Sequence, residues 1–239
     1  GVLNNLLVGT TAGNIIFALN ITEGKVIWKQ SFNGRLKGSI YDGTSGSLIF
    51  CTENPIALHR INLSDGLSLR IDNLDLPDPR INLSPLFIPD EDIMVVVIRS
   101  RVIAIDSKTG NQKWNKKFSE RITSCDLQPD DSSRMLIGLS SLTGESSIAE
   151  LEVLSGDQQW FVNLENTVIR GTQAVGDREF LVLVSEGLKL KLSKFNTIAE
   201  KENWQKTIPG IPGPCTINVF NNNKVLLSFR RPPRAYLMT

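Results

Sequence analysis

An acidic or amide residue with Gly four places on and Trp eight places on recurs along this chain, and that recurrence limits the fold more than any other feature. Asp106, Gly110 and Trp114 carry the full set; so do Asn20, Gly24 and Trp28, and Glu152, Gly156 and Trp160. Asn62 and Gly66 keep the first two, with Arg70 in the Trp place. Asn196 and Trp204 keep the first and last, with Glu200 in the Gly place. The five markers stand 42 to 46 residues apart. In a strand-rich chain, a period in that range belongs to stacked supersecondary units, usually propeller blades.

Each part of the repeat has a physical task. Asp or Asn at a strand end accepts a hydrogen bond from backbone two residues on and closes a turn. Gly supplies the positive φ of a tight hairpin. Trp at one fixed place per repeat buries a large face where blades meet, and its ring N–H needs an acceptor. Inter-blade packing, not a ligand platform, is its expected role.

Strands fill the spaces between markers. Leu6–Gly9, Ile15–Leu19 and Lys25–Gln30 read as strands two to four of a first blade, with a turn at Thr11-Ala12-Gly13. Leu83–Ile88 reads as the inner strand of a third blade. Ile93–Ile98 is an unbroken apolar run, as in a strand buried on both faces. Leu188, Leu190 and Leu192 alternate with Lys189, Lys191 and Ser193, a half-exposed strand. Residues 73–80 hold two prolines and read as a loop. The expected fold is all-β: a β-propeller of four-stranded antiparallel blades. About five blades are complete, with partial blades at the termini, and residues 1–239 form one propeller domain or a segment of a larger ring. The first strand of blade one and the last of blade six are expected to be missing.

The motif resembles the pyrroloquinoline-quinone (PQQ)-like β-propeller repeat, Ala-x-Asp-x-x-Thr-Gly-x-x-x-Trp. Residues 104–114 match it at every named place; residues 18–28 match with Asn20 for Asp and Glu23 for Thr. The resemblance spans nearly the whole chain and implies a fold, not an activity. Family dehydrogenases that bind PQQ imply adjacent cysteines over the cofactor and an acidic calcium funnel. No two cysteines are adjacent here, so no cofactor is expected. The non-enzymatic branch implies docking of other proteins. Its members include ER-lumenal propellers and the bacterial outer-membrane assembly lipoprotein. The alternative it implies is an accessory propeller of an aminoadipate-semialdehyde dehydrogenase-like acyl-activating protein.

The residues themselves point the same way. Lys and Arg number 26 against 25 Asp and Glu, a net charge of +1, which makes no electrostatic case for nucleic acid or an anionic membrane. No apolar run approaches the roughly 18 residues that span a bilayer. Cys51, Cys125 and Cys215 fall in different repeats and read as small buried hydrophobes, with one disulfide and a leftover thiol as the alternative. His59 is the only histidine, so no Ser-His-Asp or Cys-His arrangement is expected. No metal-ligand spacing and no phosphate-binding loop occurs. Asp90-Glu91-Asp92 and Asp130-Asp131 read as solvated turn acids, and Arg230-Arg231-Pro232-Pro233-Arg234 as a solvated basic loop. Asn20, Asn62 and Asn82 each open a glycosylation sequon, which favours the ER lumen or the exterior over the cytoplasm. Arg70 and Glu200, the departures from the motif, read as drift; the Arg stem can still cover apolar surface on a seam. The expectation is a non-catalytic scaffold for other proteins, with no catalytic, cofactor or metal residues.

Overall fold

The computed structural model describes residues 2–3, 5–72, 74, 76, 85–129, 131–141, 144–176, 178–198, 201–209, 215–220, 224–230 and 233–238. The chain divides into two compact units. One is Gly1–Ile98 with Val102–Asn115; the other is Arg99–Arg101 with Lys116–Thr239.

In the first unit β1 (Val2–Leu3), β2 (Leu6–Thr10), β3 (Ile15–Asn20) and β4 (Lys25–Ser31) form one sheet in that order. A second sheet holds β5 (Arg35–Asp42), β6 (Ser47–Glu53), β7 (Ala57–Asn62) and β8 (Ser68–Ile71). A third holds β9 (Leu86–Ile88), β10 (Ile93–Ile98), β11 (Arg101–Asp106) and β12 (Gln112–Lys117), with Arg101 and the last two residues of β12 assigned to the second unit. The second unit continues with β13 (Arg121–Gln128), β14 (Asp131–Ser140), β15 (Ser146–Glu152) and β16 (Gln158–Leu164). The next sheet is β17 (Val168–Gly176), β18 (Glu179–Glu186), β19 (Lys189–Asn196) and β20 (Lys201–Ile208). The last has three strands: β21 (Cys215–Phe220), β22 (Lys224–Arg230) and β23 (Pro233–Met238).

Five four-stranded sheets and one partial sheet agree with the repeat count. The structure corrects several details. The first blade has a first strand after all, since β1 pairs with β2 through Val2↔Leu7 and Leu3↔Leu6. The turn between β2 and β3 runs on past Gly13 to Asn14, which takes the positive φ, 57°. Leu188 lies in the turn before β19 and is exposed, whereas Ser193, expected outside, is buried. The start of the expected strand at residue 83 and most of the loop at 73–80 lie outside the described residues; β9 begins at Leu86. Of the basic stretch near the C-terminus, Arg230 ends β22 and Pro233 and Arg234 open β23, with Arg230 opposite Pro233, so these three lie in strands and not in a loop.

Burial follows strand position. All six residues of β10 are buried, and Met94, Val96 and Ile98 pack with Ile49, Cys51 and Leu58 of the second sheet. Apolar side chains gather where successive sheets meet. Ile16, Ala18 and Trp28 pack with Phe50, Ile61 and Leu63 between the first and second. Leu136, Ile148 and Trp160 pack with Ile169, Phe180 and Phe195 between the fourth and fifth. Leu181, Leu183 and Leu190 pack with Ile217, Val225 and Leu227 between the fifth and sixth.

Two irregularities recur. Outer strands β4, β16 and β20 each carry a bulge one residue before the Trp. Trp28 faces Ala18 while Val26 faces Leu19, Trp160 faces Glu150 while Gln158 faces Leu151, and Trp204 faces Lys194 while Glu202 faces Phe195. Inner strands β5, β13 and β17 are each bulged near their start, at Gly38, Thr123 and Arg170. A bulge inserts one unpaired residue and sharpens the local twist. Both therefore belong to the repeat, although its side-chain pattern does not announce them.

Candidate functional site

The repeat residues are occupied with construction. Asn20 Oδ1 accepts from the Thr22 N–H, Asn62 Oδ1 from Ser64, Asp106 Oδ1 from Lys108 and Thr109, and Asn196 Oδ1 from Ile198, each at 2.9 Å. Glu152 has a longer arm and accepts instead from the Ser155 hydroxyl at 2.8 Å. Gly24, Gly66, Gly110 and Gly156 each donate to the carbonyl of their marker at 2.8 to 2.9 Å, with φ between 67° and 81°. Backbone donors hold the Asp106 carboxyl below the usual range against the opposing pull of burial. Glu200 lies outside the described residues; Arg70 is on β8 and pairs with Asp72.

The Trp side chains close seams. Trp28 Nε1 donates to the Leu63 carbonyl at 2.9 Å, and its ring lies over Gly66, where a Cβ would come within 2.7 Å. Trp160 meets Phe180 edge-on, with centroids 5.4 Å apart. Trp114 is half-buried. Trp204 departs from the pattern at 40% exposed, against 9% for Trp28. The turn that covers Trp28 follows the third strand of the next sheet.

The other singled-out groups are also internal or paired. His59 is buried, stacked on Phe50 at 4.8 Å, with Nε2 3.3 Å from Thr52 Oγ1. Burial, helped by the Arg70 charge, pulls its pKa down to about 4. Cys51 and Cys125 are buried free thiols; burial pushes the Cys51 thiol up to about 12 and that of Cys125 higher still. The Cys215 side chain lies outside the described residues. Asp92 pairs with Lys108 at 2.5 Å, and Arg60 of the neighbouring blade reaches Asp42 at 3.4 Å and Asp92 at 3.9 Å. Asp131 accepts from Arg134 Nε at 3.1 Å. Asn82, Asp130 and residues 231–232 lie outside the described residues. No group of His, Cys, Asp and Glu able to hold a metal occurs among the described residues. No helix there is long and apolar enough to cross a membrane.

What the motif did not reveal is a cavity of about 310 Å³ at one end of the fourth sheet, in the second unit. Glu120 enters from the β12–β13 link, Glu145 from the β14–β15 hairpin, and Glu165 and Asn166 from the β16–β17 link. Ser147 and Asn163 face each other across β15 and β16 and therefore share a face of the sheet. Two buried serines brace the walls. Ser146 Oγ donates to the Thr167 carbonyl at 2.8 Å and lies 2.9 Å from Ser140 Oγ, and the Ile169 N–H points at both hydroxyls at 3.3 Å. The link that carries Glu165 is thus fixed to the hairpin that carries Glu145. A second cavity of about 260 Å³ shares Asn163 and Glu165 and continues past Glu186, Lys191, Glu202 and Gln205. The only sequence signal for the first cavity is an acidic residue five or six places beyond a repeat Trp, Glu165 after Trp160 and Glu120 after Trp114.

A sequence profile of the family described as outer membrane protein assembly factor BamB matches residues 2–219. No curated protein sequence matches the chain. Among solved structures, the chain is similar to hydrazine synthase from Kuenenia stuttgartiensis, with TM-score 0.69 and 12% identity over 98% of this chain and 73% of that one. It is similar to BamB from Moraxella catarrhalis, with TM-score 0.63 and 13% identity over 99% and 74%. It is similar to the C-terminal WD40 domain of Sif2, with TM-score 0.72 and 11% identity over 98% and 63%. The sheets are the blades of a β-propeller, and the chain belongs to the BamB family of PQQ-like repeat proteins.

Proposed function

We propose that this propeller is a non-catalytic scaffold on which other proteins dock, in an extracytoplasmic compartment. The observation that carries the reading is the apolar outer rim of the first two blades. Val26 and Ile27 on β4, and Leu67 and Leu69 at β8, are exposed, Leu67 by 72%. Leu67 directly precedes β8 and Leu69 lies within it. Both β4 and β8 are edge strands, whose outward N–H and C=O groups are open to another chain. Apolar surface gathered on such an edge gains free energy when a partner covers it. The family's description as an assembly factor supports the same reading.

The compartment rests on Asn62. It is exposed and heads a sequon, and its turn uses only Oδ1, so Nδ2 can carry a glycan with the turn closed.

The test is affinity purification of the tagged full-length protein from its own cells, with mass spectrometry of what accompanies it. A stoichiometric partner set, lost with Leu67→Asp/Leu69→Asp, is expected, together with added glycan mass. Purification alone, as part of one unglycosylated polypeptide with enzymatic domains, would overturn the reading in favour of an accessory domain of an acyl-activating enzyme.

A further inference from the structure

Phe32, Asn33 and Gly34 link β4 to β5, and Asn33-Gly34 is the chain's one Asn-Gly pair. Asn33 is exposed. Neither its side chain nor the Gly34 N–H makes a hydrogen bond among the described residues. Glycine is required in the second place. Its φ is +92°, and a Cβ there would come within 2.8 Å of the Glu53 carbonyl oxygen and 3.0 Å of that of Pro55. With no side chain at Gly34, nothing shields the Asn33 amide carbon from the main-chain nitrogen that follows it. Two Asp-Gly pairs could close the same five-membered ring, and both are held. Asp42 is buried, and its Oδ1 accepts from the Thr44 and Ser45 N–H groups at 3.1 and 3.3 Å. Asp65 Oδ1 accepts from the Leu67 N–H at 2.9 Å, and the Gly66 N–H donates to the Asn62 carbonyl at 2.9 Å.

We propose that Asn33 is a site of covalent modification by deamidation through a succinimide, and that the isoaspartyl product loosens the seam between the first two blades. Gly34 N gives its proton to water and attacks Asn33 Cγ. The N–Cγ bond forms, the Cγ–Nδ2 bond breaks, and Nδ2 leaves as ammonia with a proton returned from solvent. Water then opens the ring. Cleavage at Cγ leaves an ordinary aspartate; cleavage at the main-chain carbonyl carbon leaves an isoaspartyl link that runs through Cβ and Cγ. Nothing is oxidised or reduced. Either product carries a carboxylate where a neutral amide stood. The neighbours on both sides are fixed. The Phe32 ring lies 5.0 Å from those of Phe50 and His59, and its N–H donates to the Asn14 carbonyl at 3.0 Å. Gly34 is seated against the Glu53 and Pro55 carbonyls. An extra main-chain carbon between two such anchors displaces one of them.

The test incubates the full chain at pH 8, folded and in urea, and follows its digest by mass spectrometry. Isoaspartate is counted by methyl transfer from S-adenosylmethionine with an isoaspartyl carboxyl methyltransferase. The peptide that carries residue 33 should gain about 1 Da. Its rate in the folded chain should lie within about tenfold of that in urea, because an unheld link needs no opening. Asp42 and Asp65 should isomerise in urea and not in the folded chain. Asn33→Gln, which closes a ring far more slowly, should remove the methyl acceptance of the folded chain. The deamidated fraction, separated by ion exchange and scored for isoaspartate, should unfold at lower urea than freshly made Asn33→Asp, which has the same charge and an ordinary linkage. Stronger protection of residue 33 in the folded chain would overturn the site, as would methyl acceptance that persists in Asn33→Gln. A midpoint equal to that of Asn33→Asp would overturn the loosening.

Discussion

The indole N–H of Trp28 donates to the backbone carbonyl of Leu63, 2.9 Å away in the next blade, and the same ring covers Gly66. Trp28→Phe keeps most of the packing and orphans a buried carbonyl, for an expected loss of about 1–3 kcal/mol. Gly66→Ala places a methyl within 2.7 Å of the ring at a φ of +74° and should destabilise at least as much. Urea unfolding midpoints measure both; a midpoint unmoved by Gly66→Ala would mean that the ring does not sit where described.

His59 makes folding sensitive to acid. Its pKa lies near 4 when folded, against 6.5 for the free side chain, chiefly because burial opposes its charge. A depressed value means that the unfolded chain takes up the proton first. The stability is fully present above about pH 6.5 and falls as the pH drops towards 4. The expected loss across that window is roughly 2–3 kcal/mol. His59→Phe should flatten the stability profile between pH 4 and 6.5.

Asp126 acts in the opposite sense. Its carboxyl is pushed up to about 6 by burial, against the pull of Thr172 Oγ1, which donates to it at 2.7 Å. The Ser124 hydroxyl lies 2.8 Å from the same Thr172 oxygen. A raised value means that the folded state holds its proton longer. The contribution is present below about pH 3.8 and is lost as the pH rises through 6. Asp126→Asn cannot ionise and can still accept from Thr172. It should be the more stable form at pH 8, by about 1–3 kcal/mol, and equal to the parent near pH 4. Thermal melts at the two pH values compare them.

Arg134 and Glu150 form a pair at 2.6 Å on neighbouring strands, with Glu150 buried. Arg134→Ala strands a buried carboxylate and should cost about 3–5 kcal/mol. Arg134→Met/Glu150→Leu removes both charges and should recover most of that loss in the same denaturation assay.

The fold was legible because the repeat residues act locally. Asn20, Asn62, Asp106 and Asn196 close turns within four residues of themselves, so their spacing marks every third strand. Burial across a seam was legible only in part, because a Trp on one sheet is covered by residues of the next: Trp28 and Trp160 are buried as the repeat predicts, while Trp204 is 40% exposed. The acidic cavity was not legible. Glu120, Glu145 and Glu165 are brought together by links whose paths depend on the bulges and on the Ser140–Ser146 brace, and a serine that braces looks like any other serine in a chain.

Blade-to-blade ties also end on peptide groups elsewhere. Gln30, two places after Trp28, donates to the carbonyl of Gly66; Lys116, two places after Trp114, donates to that of Gly156 at 3.2 Å. A main-chain oxygen is present whatever side chain a turn carries. A blade tied in this way can be copied, lost or exchanged in evolution without a matching substitution next door.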